Sequence, residues 1–157
     1  MPVIETMCEG DIETVARLRF DAFFQDSART LEEDAAGLRR LMAGDGDLEA
    51  AFVARIGGAP VGSVLLVHRE LEPAHDLTPW LAGLVVAEGH RRKGIGSALV
   101  NAVERRAAAA GIATLYLYTW QARAFYPALG WKAVETFEQD GEAMMLMSRG
   151  LHNLPAT

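Results

Sequence analysis

The segment from Trp80 to Ala110 constrains the fold most, because its hydrophobic pattern changes across a short glycine-rich turn. Its first part, Trp80–Val86, is a continuous apolar run, which is typical of a strand covered on both faces. From Gly96 to Ala110 one apolar stripe recurs at helical spacing. Three polar residues are expected off that stripe: Asn101, Glu104 and Arg105. The segment predicts a central strand followed directly by a helix.

The turn between this strand and this helix has the features of an anion site. Gly94 and Gly96 let the backbone turn tightly and approach a ligand, so free N–H groups at the helix N-terminus can point at phosphate oxygens. Three adjacent basic residues stand out in a chain of formal net charge −6: Arg91, Arg92 and Lys93. The turn predicts a pyrophosphate cradle. The alternative is a solvated basic turn that caps an ordinary helix.

Two common phosphate motifs do not fit the turn. Gly89 and Gly94 have the spacing that begins a P-loop, but Ile95 and Gly96 stand where Lys and Ser or Thr would hold phosphates and magnesium. Gly94 and Gly96 begin a dinucleotide fingerprint, yet Leu99 occupies the third glycine position. The strands before the turn also do not alternate with helices. These departures argue against a nucleotide triphosphatase and a Rossmann dehydrogenase.

The rest of the chain predicts an α+β order within a single domain, residues 1–157. The first helix is predicted at Asp11–Phe24 from three- and four-residue spacings of Ile12, Val15, Ala16, Leu18, Arg19 and Phe23. A capping box opens the second helix, predicted at Thr30–Met42. A short helix is expected at Ala122–Leu129. Gly57–Gly58 predicts a hairpin turn. The remaining predicted strands are Leu48–Arg55, Pro60–Val67, Thr114–Thr119, Val134–Phe137 and Ala143–Ser148.

Composition and charge exclude several classes of protein. A chain that is 50% hydrophobic and 23% charged is globular rather than disordered or fibrous. The longest charge-free apolar run, Leu77–Ala87, falls short of the roughly 20 residues of a membrane helix. The N-terminal residues lack the pattern of a secretory signal, so we expect a cytoplasmic protein without membrane contact. The negative charge opposes nucleic-acid binding. The single cysteine, Cys8, predicts a small buried or half-buried thiol without a disulfide or a zinc site.

Two motifs resemble those of a known family. Val86-x-x-x-x-Arg91-x-x-Gly94-Ile95-Gly96-x-x-Leu99 resembles the acetyl-CoA motif of the GNAT superfamily of N-acetyltransferases. Downstream, Ala122-x-x-Phe125-Tyr126-x-x-Leu129-Gly130-Trp131 is similar to the second signature of that superfamily. The sequence departs from the family pattern at two positions: Glu88 stands where many members have Pro, and Thr119 where many have Asn.

The resemblance implies a fold, a cofactor and an assembly. The fold is a three-layer α+β domain with a mixed, mostly antiparallel sheet of about six to seven strands, splayed central parallel strands and about four flanking helices. Acetyl-CoA is implied as the acetyl donor, with no metal. Dimers are common among similar proteins, so a homodimer is one expected assembly, while the sequence leaves the oligomeric state open.

The resemblance also implies positions for acetyl-CoA. The pantetheine arm lies in the gap between the central strands, against the backbone of Leu84, Val85 and Val86, where an N–H faces the thioester carbonyl. The pyrophosphate is expected on the N–H groups of Arg92, Lys93, Gly94, Ile95, Gly96 and Ser97. Four further residues are expected to contact the cofactor: Arg91, Thr119, Arg123 and Phe125.

The chemistry of acetyl transfer points to Tyr126. A thiolate leaving group benefits from a proton, and a phenol held near the sulfur can donate one, so Tyr126 is the candidate general acid. The base is harder to assign, because Trp80–Val86 carries no carboxylate or histidine. Ordered water is one route for the proton. The side-chain candidates are His75, Asp76 and Glu138.

The implied activity is transfer of acetyl from acetyl-CoA to a primary amine by direct attack in a ternary complex. The acceptor class stays open among a small molecule, a lysine side chain and a protein N-terminus. Acidic residues near the expected cleft favour a cationic amine: Glu70, Glu72, Asp76, Glu138 and Asp140. The alternatives are an inactive CoA-binding sensor or interaction domain and, against the net charge, a nucleic-acid binder.

Overall fold

The computed structural model describes residues 2–44, 48–68, 77–119, 124–139 and 141–151. The strands are β1 (Val3–Thr6), β2 (Ala50–Ile56), β3 (Ala59–Val67), β4 (Trp80–Val86), β5 (Thr114–Thr119), β6 (Lys132–Gln139) and β7 (Glu142–Gly150). The α-helices are α1 (Ile12–Arg19), α2 (Leu31–Ala43), α3 (Ile95–Ala109) and α4 (Phe125–Ala128). None of the helices in this part of the chain is long and apolar enough to cross a membrane.

The strands form one seven-stranded sheet in the order β1-β2-β3-β4-β5-β7-β6. Every neighbouring pair is antiparallel except β4 and β5, which are parallel. The predicted mixed, mostly antiparallel sheet is therefore confirmed. In the described residues β4 and β5 pair only at Trp80 and Tyr116, where the Tyr116 N–H also donates to the Pro79 carbonyl at 3.2 Å. The two strands part beyond that point, so the sheet opens at its centre.

A bulge bends β4 where it leaves β5. Ser63 of β3 pairs with Val85 and Leu65 pairs with Ala82, so β4 contains one residue more than β3 between these pairs. Gly83 lies in this bulge with a φ of +63°, a conformation that a side chain disfavours. An extra residue of this kind turns the strand and redirects its backbone groups.

The two faces of the sheet are covered by different helices, which gives the expected three layers. Beside α3, the buried residues of one face include Leu66, Leu81, Ile95, Leu99, Val103, Leu115 and Leu117. Beside α1 and α2, those of the other face include Ile12, Val15, Leu38, Val53, Trp80 and Leu146. Each helix buries one apolar stripe, as its periodicity predicts.

The first predicted helix is present but composite. A 3₁₀ turn at Glu9–Asp11 leads into α1, and a π-helical turn at Phe20–Phe24 follows. Periodicity alone does not distinguish these geometries. The capping box of α2 is confirmed: the Glu33 N–H donates to Thr30 Oγ1 at 3.1 Å, and the Thr30 N–H donates to Glu33 Oε1 at 2.8 Å.

Three details differ from the sequence prediction. β1 was not expected, because this short edge strand is largely exposed and has no apolar pattern. Cys8 is exposed, not buried, and its thiol donates to Asp11 Oδ2 at 3.1 Å. Glu104 is buried, because the indole N–H of Trp131 donates to it at 3.0 Å and Arg149 lies 3.5 Å away. Burial raises the pKa of Glu104, and Arg149 and Trp131 oppose that rise.

The packing of α3 on β3 yields a stability prediction. A Cβ added at Gly62 lies 3.0 Å from the Val85 carbonyl oxygen and 3.1 Å from a methyl carbon of Leu99. We expect Gly62→Ala to lower the free energy of unfolding by about 1–3 kcal/mol, because the buried neighbours must shift. Urea unfolding measures the change. Gly10→Ala is the matched control, since a Cβ there meets nothing within 4 Å. Equal changes in the two variants would contradict the prediction.

Candidate active site

The turn between β4 and α3 exposes backbone donors at a helix N-terminus. A 3₁₀ turn, Glu88–His90, follows β4, and Gly94 is the N-cap of α3 with a φ of +80°. The Ala98 N–H donates to the Gly94 carbonyl at 3.1 Å as the first helical bond. The preceding N–H groups, those of Ile95, Gly96 and Ser97, have no acceptor within the helix and carry the positive end of its dipole.

The three basic residues of the turn are exposed beside these donors. The Arg91 Nε donates to the Val86 carbonyl at 3.1 Å, which fixes its guanidinium next to the end of β4. Arg92 has a φ of +64°, an uncommon conformation for a residue with a side chain. Local charge is therefore positive in a protein of net charge −6. Backbone donors and basic side chains thus lie together at this turn, an arrangement that can hold an anion.

Gly96 brings α4 against the N-terminus of α3. A Cβ added at Gly96 would lie 3.3 Å from the Phe125 Cζ and 4.0 Å from a methyl carbon of Leu84. The absence of a side chain thus permits close packing in addition to close approach of a ligand. The end of β4, the start of α3 and the start of α4 converge here. Cofactor contact by Leu84, Gly96 and Phe125 stays a prediction.

Tyr126 lies beside this convergence point in an aromatic environment. Its ring centroid is 5.0 Å from that of Phe125 and 6.1 Å from that of Trp131. The residue is 7% exposed, and its burial raises the pKa of the phenol to about 12. The hydroxyl therefore stays protonated at neutral pH, which is the state that a proton donor requires.

The remaining predicted site residues lie in different parts of the chain, and only some of them are among the described residues. Thr119 is half-buried at the end of β5. Glu138 is exposed on β6, and strand alternation places its side chain on the opposite face from Phe137. Phe137 packs against Tyr118 on the α1–α2 face, with ring centroids 6.2 Å apart. Three further predictions lie outside the described residues: His75, Asp76 and Arg123.

Aromatic rings also cover the α1–α2 face where β4 and β5 part. Trp80 is buried, and its ring centroid lies 5.8 Å from that of Tyr116 and 6.4 Å from that of Tyr118. Its indole N–H donates to the Leu77 carbonyl at 2.8 Å. The half-buried Tyr116 and Tyr118 therefore border the opening of the sheet on this face.

The sequence prediction missed a buried charge cluster beside these rings. Asp34, which is 1% exposed, accepts from Arg19 Nε at 2.9 Å and from Arg19 Nη2 at 3.2 Å. Arg29 Nη2 lies 3.0 Å from the same carboxylate. The Arg19 guanidinium lies 6.0 Å from the ring centroid of Phe23 and 5.6 Å from that of Phe24. The available signal was an arginine on the apolar face of the first predicted helix.

One nitrogen of this cluster has no partner. Arg19 Nη1 is buried and has no hydrogen-bond acceptor in the part of the chain that the structure describes. A Cβ added at Gly83 would overlap this nitrogen, so the guanidinium lies against the β4 bulge. An unsatisfied buried donor costs roughly 1–3 kcal/mol.

Within the described ranges, no group of three or more His, Cys, Asp or Glu side chains is placed to hold a metal ion.

The chain is similar to a protein family and to several solved structures. The model of the acetyltransferase (GNAT) family matches residues 12–131. A search of curated protein sequences gave no significant match. An aminoglycoside 6′-N-acetyltransferase solved with coenzyme A is similar at 18% identity and a TM-score of 0.75, with 98% of this chain and 99% of that chain covered.

Two further solved structures have the same fold. An N-acetyltransferase from Staphylococcus aureus Mu50 is similar at 19% identity and a TM-score of 0.80, with 96% of this chain and 99% of that chain covered. A phosphinothricin acetyltransferase from Sinorhizobium meliloti, solved with acetyl-CoA, is similar at 16% identity and a TM-score of 0.80, with 96% of this chain and 88% of that chain covered.

The buried charge cluster yields a second stability prediction. We expect Asp34→Ala to lower the free energy of unfolding by about 3–5 kcal/mol, because it leaves the buried Arg19 without its counter-charge. Glu9→Ala is the control, since Glu9 and Arg39 form an exposed pair worth at most about 1 kcal/mol. Chemical denaturation of both variants measures the difference. A loss at Asp34 no larger than that at Glu9 would show that the cluster does not stabilise the fold.

Proposed function

Because the chain belongs to the acetyltransferase (GNAT) family, we propose that it transfers the acetyl group of acetyl-CoA to a primary amine by direct attack in a ternary complex. The observation that carries this proposal is the combination of the α3 N-terminus with the open β4–β5 pair. A thioester bound across this junction supplies an activated acetyl group. No nucleophilic side chain is needed for direct transfer.

The cradle would hold the pyrophosphate of the donor. In this proposal the N–H groups of Arg92–Ser97 bind phosphate oxygens, and the side chains of Arg91, Lys93 and Arg123 add positive charge. A groove of about 380 Å³ adjoins the cradle along α3, and it offers room for the nucleotide end of the donor. It is lined by Ser97, Ala98, Val100, Asn101, Glu104 and Leu129.

The parting of β4 from β5 supports the placement of the pantetheine arm. Backbone groups of Leu84, Val85 and Val86 lack a paired β5 strand in the described residues, so they can bond an extended ligand instead. One N–H of this stretch would face the thioester oxygen and stabilise the negative charge that develops there. Thr119 and Phe125 would contact the arm from the other side of the gap.

Tyr126 would act as the general acid. As the neutral amine nitrogen bonds to the acetyl carbon, the carbon–sulfur bond breaks and the sulfur takes the phenol proton. The nitrogen then releases its second proton to solvent as the amide forms, and the phenol regains a proton from solvent. The ammonium proton leaves to ordered water or to a side-chain base before attack. The side-chain candidates remain His75, Asp76 and Glu138, of which Glu138 is exposed on β6.

An inactive CoA-binding sensor or interaction domain is the second candidate. The specific observation that favours it is that β4 carries no side-chain base. The retained, protonated Tyr126 favours an enzyme instead. Measuring CoA release with a panel of amines separates the two, because a sensor binds acetyl-CoA without turnover.

The cradle yields a binding prediction. We expect Gly94→Ala to weaken acetyl-CoA binding at least about tenfold, because a side chain disfavours the φ of +80° that aims the α3 donors. Titration calorimetry measures the dissociation constant. Gly111→Ala is the matched control, since Gly111 has a φ of +84° and, like Gly94, has nothing within 4 Å of an added Cβ. If both variants bind equally well, the α3 N-terminus is not the phosphate site.

The proposed acid yields a kinetic prediction. We expect Tyr126→Phe to lower kcat about 100-fold at unchanged acetyl-CoA affinity, because the sulfur then leaves without its proton donor. Since the phenol pKa is raised to about 12, its protonated form persists, and kcat of the wild type should not decline on its account between pH 8 and pH 10. Steady-state rates measure both effects. Tyr116→Phe is the control, and normal turnover of Tyr126→Phe would refute the assignment.

A further inference from the structure

Glu104 of α3 is a buried carboxylate to which the proposed reaction gives no role. Its Oε2 accepts from the indole N–H of Trp131 at 3.0 Å and lies 3.5 Å from Arg149 Nε. The side chain of Glu104 is 7% exposed. The hydrophobic pattern of α3 gives no reason for this burial, because the residue is off the apolar stripe.

Stability alone does not explain a carboxylate at this position. Removing a carboxylate from water costs free energy, and replacing a buried ion pair by apolar side chains of similar volume is often neutral or stabilising. Burial accordingly raises the pKa of Glu104, while Arg149 and Trp131 oppose that rise. A leucine would fill a similar volume without this cost. A leucine has no oxygen, however, and only an acceptor can bond the indole N–H.

The bond to Glu104 fixes how the Trp131 ring is turned. Indole has one polar atom, and a buried indole N–H usually pairs with an acceptor. The backbone N–H of Trp131 donates to the Tyr126 carbonyl at 3.1 Å, so the main chain of the residue is held as well. Arg149 Nη1 donates to the Gly130 carbonyl at 3.3 Å, next to the tryptophan. Turning the indole would therefore break its bond to Glu104.

The Trp131 ring in turn packs against the phenol of Tyr126. The two ring centroids are 6.1 Å apart at an interplanar angle of 66°, which is an edge-to-face contact. Phe125 makes a second contact of this kind at 5.0 Å and 72°. The Tyr126 hydroxyl makes no hydrogen bond in the part of the chain that the structure describes. Packing against aromatic rings therefore fixes the phenol where a hydrogen bond does not.

We propose that Glu104 is a positioning residue, which holds the Trp131 ring and through it keeps the Tyr126 phenol in place to donate its proton. This inference rests on the proposed function, because it takes Tyr126 as the general acid. Glu104 itself exchanges no proton with the donor or the acceptor. Misplacing a catalytic group by about 1 Å can cost roughly 100-fold in rate, so a small turn of one ring is enough to lower turnover.

The first experiment removes the acceptor of the indole N–H in two backgrounds. We expect Glu104→Leu to lower kcat roughly 5- to 20-fold at saturating acetyl-CoA, because the phenol loses its fixed position. In the Tyr126→Phe background we expect the same substitution to change the residual kcat by less than about twofold, because no proton donor remains to be positioned. CoA release measures kcat, with the amine that the wild type acetylates fastest in the panel. Equal losses in the two backgrounds would refute the positioning role.

A conservative variant separates the hydrogen bond from the charge. Glu104→Gln keeps an acceptor oxygen for the indole, so we expect its kcat to stay within about threefold of the wild type. Trp131→Phe keeps a ring but removes the N–H, and we expect it to lower kcat as Glu104→Leu does. A loss in Glu104→Gln as large as that in Glu104→Leu would refute the hydrogen bond as the cause. Trp131 is not among the residues that line the α3 groove, so its variant also tests the effect apart from the nucleotide end of the donor.

Leu38→Ala is the matched control for a loss of stability alone. Leu38 is 3% exposed and belongs to the α1–α2 layer, whereas Tyr126 belongs to the α3 layer. Its truncation leaves a cavity and destabilises the fold. We expect its kcat to stay within about twofold of the wild type at a temperature where denaturation curves show every variant folded. A loss of kcat in Leu38→Ala as large as that in Glu104→Leu would refute the positioning role.

The same variants separate this inference from the proposed function. Normal turnover of Tyr126→Phe would refute the acid and the positioning role with it. A roughly 100-fold loss in Tyr126→Phe beside normal kcat in Glu104→Leu and Trp131→Phe would keep the acid and refute the positioning role. Should Glu104→Leu fail to fold, Trp131→Phe with and without Tyr126→Phe gives the same comparison, and the same difference between the backgrounds is expected.

Discussion

The rest of the structure depends on one extra residue in β4. Gly83 adds a bulge opposite β3, and the strand then turns away from β5 after a single parallel pairing. Because the backbone at the bulge has a φ of +63°, the position suits glycine and strains other residues. The same turn directs the end of β4 into the loop that begins α3. The opening in the sheet and the placement of the α3 donors thus follow from one local distortion.

The bulge also brings groups from both faces of the sheet to the same part of β4. On one face, the N-terminus of α3 and the start of α4 meet the end of β4, with Gly96 allowing Phe125 to approach closely. On the other face, the guanidinium of Arg19 occupies the space that a side chain at position 83 would fill. Arg19 and the N-terminus of α3 therefore lie against neighbouring residues of β4 on opposite faces of the sheet.

Much of this arrangement could be predicted from the sequence. Trp80–Val86 and Thr114–Thr119 are apolar runs long enough to identify the central strands, and both have the predicted bounds. The glycines and basic residues of the turn predict an anion cradle, because helix N-termini that hold phosphates use those residue types, and this stays a prediction. Burial of Glu104 and the pairing of Arg19 with Asp34 could not be predicted, because their partners are distant in sequence and packing alone brings them together.

The separation of the core into two clusters has a consequence for how specificity can change. One cluster lies under α3 and the other under α1 and α2, with the sheet between them. Substitutions in the α1–α2 layer alter the packing around Arg19 and leave the residues that support the N-terminus of α3 unchanged. Natural drift or directed evolution can therefore change the surface on one side of the sheet without rebuilding the other.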